Sequence, residues 1–172
     1  CGIAEANMMG VAAGMSLVGY IPFVHTFGPF ATRRAFDQVF ISGGYAKTTI
    51  NIYGSDPGFC VGGNGGTHTT FEDVALMRTI PNAVVCDAAD DVQMAYIIEA
   101  FSKEEGIHYV RGNRKDVRNV YAPGSTFTIG KGNVLSTGDD VLIVVSGQLV
   151  SEALDAKEDL EKEGIHATVI DM

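Results

Sequence analysis

Gly2-Ile3-Ala4-Glu5-Ala6-Asn7-Met8-Met9, near the start of the 172-residue chain, predicts a helix that begins with one acid in an apolar setting. The apolar residues after Glu5 recur with the period of a helix that buries one face. These residues are Met8, Val11, Ala12 and Met15. Because the opposite face is also small or apolar, we expect the helix to be buried nearly all round. The Glu5 carboxylate is then shielded from water and has to be paired or neutralised.

Two interpretations of Glu5 are open from these residues alone. Its carboxylate can accept hydrogen bonds from backbone N–H groups in the first helical turn, where acidic side chains are favourable. Alternatively, it is a functional acid whose proton affinity is set by its surroundings. The motifs farther along the chain favour the second interpretation.

The composition predicts a folded protein of the cytoplasm. Hydrophobic residues make up 46% of the chain and charged residues 19%, so there is enough apolar material for a core. The formal net charge of -9 argues against nucleic acid or an anionic membrane as a partner, because both call for a basic surface. The cysteines at positions 1, 60 and 86 have no metal-ligand spacing and no disulfide pattern, as expected in a reducing compartment. No apolar run in the sequence is long enough to span a bilayer.

Strand-like apolar segments alternate with helical segments along the chain and predict an α/β fold. The expected strands are residues 21–26, 46–53, 83–86, 107–111, 141–145 and 166–172. A helix is expected from Phe30 to about Phe40. This order is typical of a mostly parallel sheet with helices on both faces. Since ligands bind at the carboxyl ends of such strands, we expect residues 26–30, the glycine-rich loop 54–68 and Arg111 to converge there.

Four segments, taken in order, resemble the pyrimidine-binding domain of transketolases. They are Gly-Ile-Ala-Glu-Ala-Asn-Met at 2–8, Thr-Phe-Gly-Pro-Phe at 26–30, Gly-Gly-Asn-Gly-Gly-Thr-His at 62–68 and Glu-Asp-Val-Ala-Leu-Met-Arg at 72–78. From residue 138 onward the chain is similar to the start of the transketolase C-terminal domain. The resemblance implies a pyrimidine-binding domain at 1–120, a linker at 121–137 and a truncated C-terminal domain at 138–172.

The resemblance implies thiamine diphosphate as the cofactor. Glu5 matches the family's glutamate, which hydrogen-bonds the aminopyrimidine ring and activates the cofactor. Phe30 matches the aromatic residue that stacks on this ring, and Phe27 matches its neighbour in the pocket. A carboxyl group held in an apolar site has a raised proton affinity, which suits it to this role.

The same resemblance implies substrate contacts in the loops. His68 matches a histidine that handles substrate protons, a task that suits an imidazole near neutral pH. Asn64 stands where the family has an aspartate that contacts a substrate hydroxyl, and Arg111 falls at an arginine for the substrate anion. Asp56 replaces a histidine that binds the sugar phosphate. Because an aspartate repels phosphate, we predict a preference for unphosphorylated or differently placed anionic substrates.

The resemblance leaves the diphosphate half of the cofactor unaccounted for. The Gly-Asp-Gly and asparagine motif that binds diphosphate and metal in this enzyme class is missing from the sequence, and we assign no metal ligand to the chain. We expect Mg²⁺ or Ca²⁺ on a diphosphate-binding domain or N-terminal subunit, within a dimer or another homo- or hetero-oligomer. The chain is therefore expected to be a fragment, or the C-terminal subunit of a split enzyme, that is inactive alone.

These matches favour a transketolase-like transferase of carbohydrate metabolism, which moves a ketol unit between a ketose and an aldose, as in pentose phosphate chemistry. Two enzymes that share the cofactor are alternatives, because the segment 34–39 also resembles them: deoxyxylulose-phosphate synthase and the β-subunit of 2-oxoacid dehydrogenases. A non-catalytic assembly subunit is a further alternative, since Asp56 and Asn64 depart from the family pattern.

Overall fold

A four-stranded sheet organises the first of two compact units, which comprises residues 1–86 and 99–115. The computed structural model describes residues 1–60 and 62–172. The strands of this sheet are β1 (Phe23–Phe27), β2 (Ile50–Ser55), β3 (Val84–Asp87) and β4 (Ile107–Gly112), in the spatial order β1-β2-β4-β3. β2 pairs in parallel with β1 on one side and with β4 on the other. The carboxyl ends of β1, β2 and β4 therefore meet at one edge of the sheet.

Helical segments connect the strands, and most of them are short. They are α1 (Glu5–Leu17), α2 (Gly28–Ala31), α3 (Phe36–Gln38), a π-helix (Val39–Tyr45), a 3₁₀ turn (Gly62–Asn64), α4 (Asp73–Met77) and α5 (Asp91–Phe101). The chain thus has the predicted α/β class with a mainly parallel sheet.

The continuous helix expected from Phe30 to Phe40 is wrong, because a turn at residues 32–35 interrupts it. Thr32 ends α2, and its hydroxyl donates a hydrogen bond to the Gly28 carbonyl at 2.7 Å. Such a bond to the preceding turn competes with helix continuation. The chain then resumes as α3 and the π-helix.

The buried face of α1 also differs from the prediction. Met9, Ala12 and Ala13 are buried in the core, whereas Val11 is 47% exposed and Met15 is 39% exposed. A helix that is apolar nearly all round has no polar face to mark its orientation, so the periodicity selected the wrong stripe. The expectation that α1 is buried on all sides is likewise wrong within this chain.

The core of the first unit lies between α1, the turn after α2 and the sheet. Its buried members are Met9, Ala12, Ala13, Val24, Ala31, Ala35, Val39, Ile50, Ile52, Met77, Ile80, Ile107 and Tyr109. The central strands β2 and β4 contribute alternate residues to this core, Ile50 and Ile52 from β2 and Ile107 and Tyr109 from β4.

The second unit comprises residues 87–98 and 116–172. Its three-stranded sheet contains β5 (Asn133–Ser136), β6 (Val141–Val145) and β7 (Ala167–Asp171) in the order β5-β7-β6. β7 pairs antiparallel with β5 and parallel with β6, and α6 (Leu149–Lys162) packs on this sheet through Ala153. Among the helices of residues 1–60 and 62–172, none combines the length and the apolar character needed to cross a membrane.

Gly54 of β2 generates a stability prediction, because a Cβ at this position would overlap the buried ring of Tyr109. The ring cannot easily retreat, since the Tyr109 hydroxyl donates a hydrogen bond to Asp73 at 2.8 Å. We expect Gly54→Ala to lower the free energy of unfolding by about 1–3 kcal/mol, the usual cost of overpacking. Denaturant-induced unfolding measures this change.

Gly10→Ala is the matched control, because a Cβ at Gly10 on α1 meets nothing within 4 Å. Alanine favours helix over glycine by up to about 1 kcal/mol, so this variant should be as stable as the parent or more stable. An equal loss of stability in both variants would contradict the packing argument.

Candidate active site

The end of β1 brings two phenylalanine rings together. β1 ends at Phe27, and α2 starts immediately at Gly28 with Pro29 in its first turn. Gly28 is closely packed, since an added Cβ would lie 2.6 Å from Thr70 Cγ2. A glycine is therefore needed at the point where the strand turns into the helix. On the two sides of this turn, the Phe27 and Phe30 rings meet edge to face, with their centroids 6.1 Å apart.

His68 completes an aromatic cluster, defined here as Phe27, Phe30 and His68. The His68 ring lies edge-on to both phenylalanines, 5.5 Å from the Phe27 centroid and 5.1 Å from the Phe30 centroid. The Thr67 hydroxyl lies 2.8 Å from His68 Nδ1 and fixes the orientation of the ring. The predicted convergence of residues 26–30 with the glycine-rich loop is therefore confirmed.

Arg33 fastens the loop that carries His68. Its Nη1 contacts Glu72 Oε1 at 2.7 Å, and its Nη2 donates a hydrogen bond to the Thr67 carbonyl at 3.2 Å. Partial burial opposes the charge on Glu72, but backbone N–H groups of Phe71 and Glu72 and the Arg33 guanidinium outweigh it and lower the pKa of Glu72 to about 2. The loop is thus held by an arginine bound to a carboxylate that stays ionised.

Arg34, the next residue, joins Glu5 to the aromatic cluster. The Glu5 side chain is nearly buried, at 9% exposure, and its Oε2 lies 3.1 Å from Arg34 Nη1. The Arg34 guanidinium also lies over the Phe30 ring, with Cζ 3.8 Å from the ring centroid. The expectation that Glu5 is shielded and paired is confirmed. Among the described residues, its hydrogen-bond partner is Arg34 rather than a backbone N–H group of the first turn.

A second arginine borders the cluster on the Phe27 side. Asp56 follows β2, is 1% exposed and has a left-handed backbone with φ of 59°. Its carboxylate lies 3.5 Å from Arg114 Nε, and the Arg114 guanidinium carbon lies 5.5 Å from the Phe27 centroid. The Asp56 carboxylate is therefore buried and paired with an exposed arginine rather than open to solvent.

Arg111 and Asn64 are the two other predicted substrate-binding residues, and their described contacts differ from those of the aromatic cluster. Arg111 Nη1 pairs with the buried Asp73 at 3.2 Å, and Tyr109 donates to the same carboxylate. Asn64 is exposed in the 3₁₀ turn. Gly63 and Gly66 on either side have open space where a Cβ would be added. The proposed substrate contacts of Arg111 and Asn64 stay predictions.

The contacts of Arg33, Arg34 and Arg114 were not predicted from the sequence, although Arg34 belongs to the segment 34–39, which resembles other enzymes with the same cofactor. The arginine pair at positions 33 and 34, one turn after Phe30, was the available signal, but the carboxylates that these arginines bind are distant in sequence. In residues 1–60 and 62–172 no group of three or more His, Cys, Asp or Glu side chains is arranged to hold a metal ion.

Comparison with protein families now identifies the class. The family model described as transketolase, pyrimidine binding domain, matches residues 1–120, and the model for the transketolase C-terminal domain matches residues 130–172. The chain belongs to the transketolase family.

Two curated relatives are similar to nearly the whole of this chain. The 6-deoxy-6-sulfo-D-fructose transketolase subunit SqwH of Clostridium sp. (strain MSTE9) is 42% identical over 171 residues, covering 99% of this chain and 53% of that protein. The putative transketolase C-terminal section of Methanocaldococcus jannaschii is 38% identical over 173 residues, covering 99% of this chain and 55% of that protein. The chain spans about half the length of these relatives.

Solved structures confirm the fold. A split gene transketolase, described as an inactive beta4 tetramer, matches with a TM-score of 0.89 and 43% identity, over 99% of this chain and 55% of that chain. A transketolase from Pichia stipitis matches with a TM-score of 0.84 and 26% identity, over 97% of this chain and 25% of that chain.

The lowered pKa of Glu72 predicts how the loop responds to acid. Because the folded-state pKa of about 2 lies below the ordinary value of 4.5, the stabilising contribution of Glu72 is present above pH 4.5 and is lost as the pH falls toward 2. Glu72→Gln should therefore melt below the parent at neutral pH, and the difference should shrink as the solution is acidified. Melting temperatures across this pH range measure the effect.

Glu161→Gln provides a control, because it removes a carboxylate that pairs with Lys157 on the partly exposed surface of α6. Pairs of this kind contribute little, about 0–1 kcal/mol. If the difference in melting temperature between Glu72→Gln and the parent stayed constant from neutral to acidic pH, the stabilising role of ionised Glu72 would be refuted.

Proposed function

We propose that this chain is a catalytic subunit or section of a thiamine diphosphate-dependent transketolase, which transfers a ketol unit from a ketose to an aldose. The observation that carries the proposal is the contact series from Glu5 through Arg34 to Phe30 and His68 at the carboxyl end of β1. It joins a shielded acid, a stacking surface and an imidazole within one site. Membership of the transketolase family supports the same reaction class.

The site fits the aminopyrimidine end of this cofactor. Such a ring is planar and donates hydrogen bonds, so it needs a carboxylate at its edge and an apolar face to stack on. The guanidinium of Arg34 has the same two properties, and it binds the Glu5 carboxylate and the Phe30 face together. Thiamine diphosphate, when bound, supplies the thiazolium carbon that carries the ketol unit.

The residues of this chain have separate tasks in the proposal. Glu5 shares a proton with the ring through its carboxylate, and its near-complete burial strengthens that interaction because water competes little. Phe30 holds the ring plane, and Phe27 supports Phe30 and His68 from the side. His68 moves protons of substrate hydroxyls, with its ring oriented by Thr67 at Nδ1.

We also infer a partner that binds the diphosphate and its Mg²⁺ or Ca²⁺ ion. The relatives named as a transketolase subunit and as a C-terminal section support this, because the chain spans only about half of each. A diphosphate is bound through a metal ion and oriented donors, which this partner domain or N-terminal subunit would supply. The proposed layout keeps the pyrimidine-binding domain at 1–120, the linker at 121–137 and part of the C-terminal domain at 138–172.

An assay with the reconstituted enzyme tests the function and its alternatives. Ketol transfer from a ketose donor to an aldose is expected. Condensation that uses pyruvate as the donor would instead indicate deoxyxylulose-phosphate synthase or 2-oxoacid dehydrogenase chemistry. Tight binding of thiamine diphosphate without turnover of either donor would favour the assembly-subunit alternative.

Glu5→Gln is expected to uncouple cofactor binding from cofactor activation. The amide fills the same space, so occupancy by thiamine diphosphate should stay close to that of the parent enzyme. Exchange of the thiazolium C2 proton should slow by roughly 10²-fold or more, the scale of an acid–base contribution, because an amide cannot share the proton. Proton NMR of the bound cofactor in deuterated water reads the exchange rate.

Asp37→Asn is a suitable control, since Asp37 is an acid of α3 that has no part in the proposed site. Its exchange rate should equal that of the parent. Fast exchange in Glu5→Gln would show that Glu5 is a structural acid at the start of α1.

Asp56 and Arg114 influence which terminal anionic group of a sugar substrate is preferred. Asp56 partly neutralises Arg114, so a doubly charged phosphate gains less there than a singly charged group such as a sulfonate. The naming of one relative as a 6-deoxy-6-sulfo-D-fructose transketolase subunit is consistent with such a substrate. We expect Asp56→Asn to raise kcat/KM for a ketose 6-phosphate about tenfold and to change the value for the 6-sulfonate analogue much less.

Steady-state kinetics with the phosphate, the sulfonate and the free sugar measure this specificity. Arg111→Ala serves as the comparison, because Arg111 is held by Asp73 rather than by Asp56. A strong phosphate preference in the parent that survives Arg111→Ala would contradict the prediction.

A further inference from the structure

Arg34 uses the two groups that the proposed function assigns to the cofactor ring. Its Nη1 lies 3.1 Å from Glu5 Oε2, and its guanidinium carbon lies 3.8 Å above the centroid of Phe30. A separation of this size is direct van der Waals contact, so no second planar group fits between the guanidinium and the Phe30 face. Arg34 and the ring of the cofactor therefore cannot both occupy this face of Phe30.

We propose that Arg34 occupies the ring site of the cofactor-free protein as a built-in substitute, and that the aminopyrimidine ring displaces it on binding. This proposal rests on the proposed function, which assigns the Glu5 carboxylate and the Phe30 face to the aminopyrimidine ring. Arg34 would then tune cofactor affinity, since part of the gain on binding is offset by the contacts that Arg34 gives up.

The burial of Glu5 explains why a substitute is needed. A carboxylate that is only 9% exposed is costly to leave without a partner. Arg34 supplies a charge partner for Glu5 and covers one face of the Phe30 ring. The charge of the Glu5 carboxylate is thereby compensated in the cofactor-free protein.

The local structure allows the Arg34 side chain to leave without disturbing the backbone. The Arg34 N–H donates to the Pro29 carbonyl at 3.2 Å, and the neighbouring Ala31 and Ala35 are fully buried. These contacts anchor the turn at 32–35. The Arg34 side chain itself is 45% exposed and has a path to solvent.

Arg33 offers a matched control one position earlier. Its side chain is 43% exposed, close to the value for Arg34, and it also pairs with a glutamate. That glutamate is Glu72, however, and the other contacts of Arg33 are backbone carbonyls of the His68 loop. Removing Arg33 tests the loss of an arginine–glutamate pair in the same turn without opening the ring site.

The experiment compares Arg34→Ala, Arg34→Lys and Arg33→Ala with the parent, each as the full-length protein in its assembled, diphosphate-binding form. Titration calorimetry gives the dissociation constant for thiamine diphosphate, and thermal unfolding is recorded with and without cofactor. We expect Arg34→Ala to melt several degrees lower than the parent without cofactor and much closer to it when loaded. Its dissociation constant should fall about 3- to 10-fold, in line with the modest strength of a half-exposed ion pair and cation–π contact.

Arg34→Lys should lie between the parent and Arg34→Ala in affinity, because lysine keeps the charge but lacks the flat guanidinium. The melting temperature of Arg33→Ala should lie below that of the parent by the same amount with and without cofactor. Unchanged or weaker affinity in Arg34→Ala, or an equal melting loss in both states, would overturn the proposal for Arg34 alone. A parent assembly that binds no thiamine diphosphate would instead overturn the proposed function and this inference with it.

Discussion

The parallel pairing of β2 with β1 and β4 is the constraint on which the site depends. In this register Phe27 lies beside Ser55, and Ser55 lies beside Gly112, so the three strands end level with one another. The residues that follow the strands then share one edge of the sheet. The Asp56 N–H donates to the Gly112 carbonyl at 2.8 Å, which extends the pairing one step and brings Arg114 within reach of Phe27. A shift of one residue in either pairing would separate these groups.

The arginines of this edge are already matched with acids. Each of four arginines has its own carboxylate: Arg33 with Glu72, Arg34 with Glu5, Arg111 with Asp73 and Arg114 with Asp56. An anionic or hydrogen-bonding ligand at this edge therefore meets compensated charges rather than a bare basic patch. Selectivity then depends on which pairs can exchange a carboxylate for a ligand, and the buried acids make some exchanges much costlier than others.

The sequence was most informative where local chemistry decides the structure. The α/β class and the position of the aromatic cluster followed from segment order and from Phe27, Phe30 and His68. The burial of Glu5 and its need for a partner were also predictable, because a lone acid in an apolar helix leaves few options. The identity of that partner was not predictable, since Arg34 is 29 positions away from Glu5 in the sequence. The prediction of the buried face of α1 was wrong for a different reason, because an evenly apolar helix has no polar face to mark its orientation.

The open space around Gly63 and Gly66 has a consequence for the evolution of this chain. Side chains can be added at these loop positions without displacing any described neighbour. Gly28, in contrast, is fixed by its contact with Thr70, so the turn that orients the phenylalanines tolerates no such change. Substitutions in the exposed loop therefore disturb little of the structure, whereas a substitution in the turn that holds the rings displaces its neighbours. Under the proposed function, a protein built in this way can diversify the substrates that it accepts while its chemistry stays the same, and laboratory libraries confined to that loop would sample the same freedom.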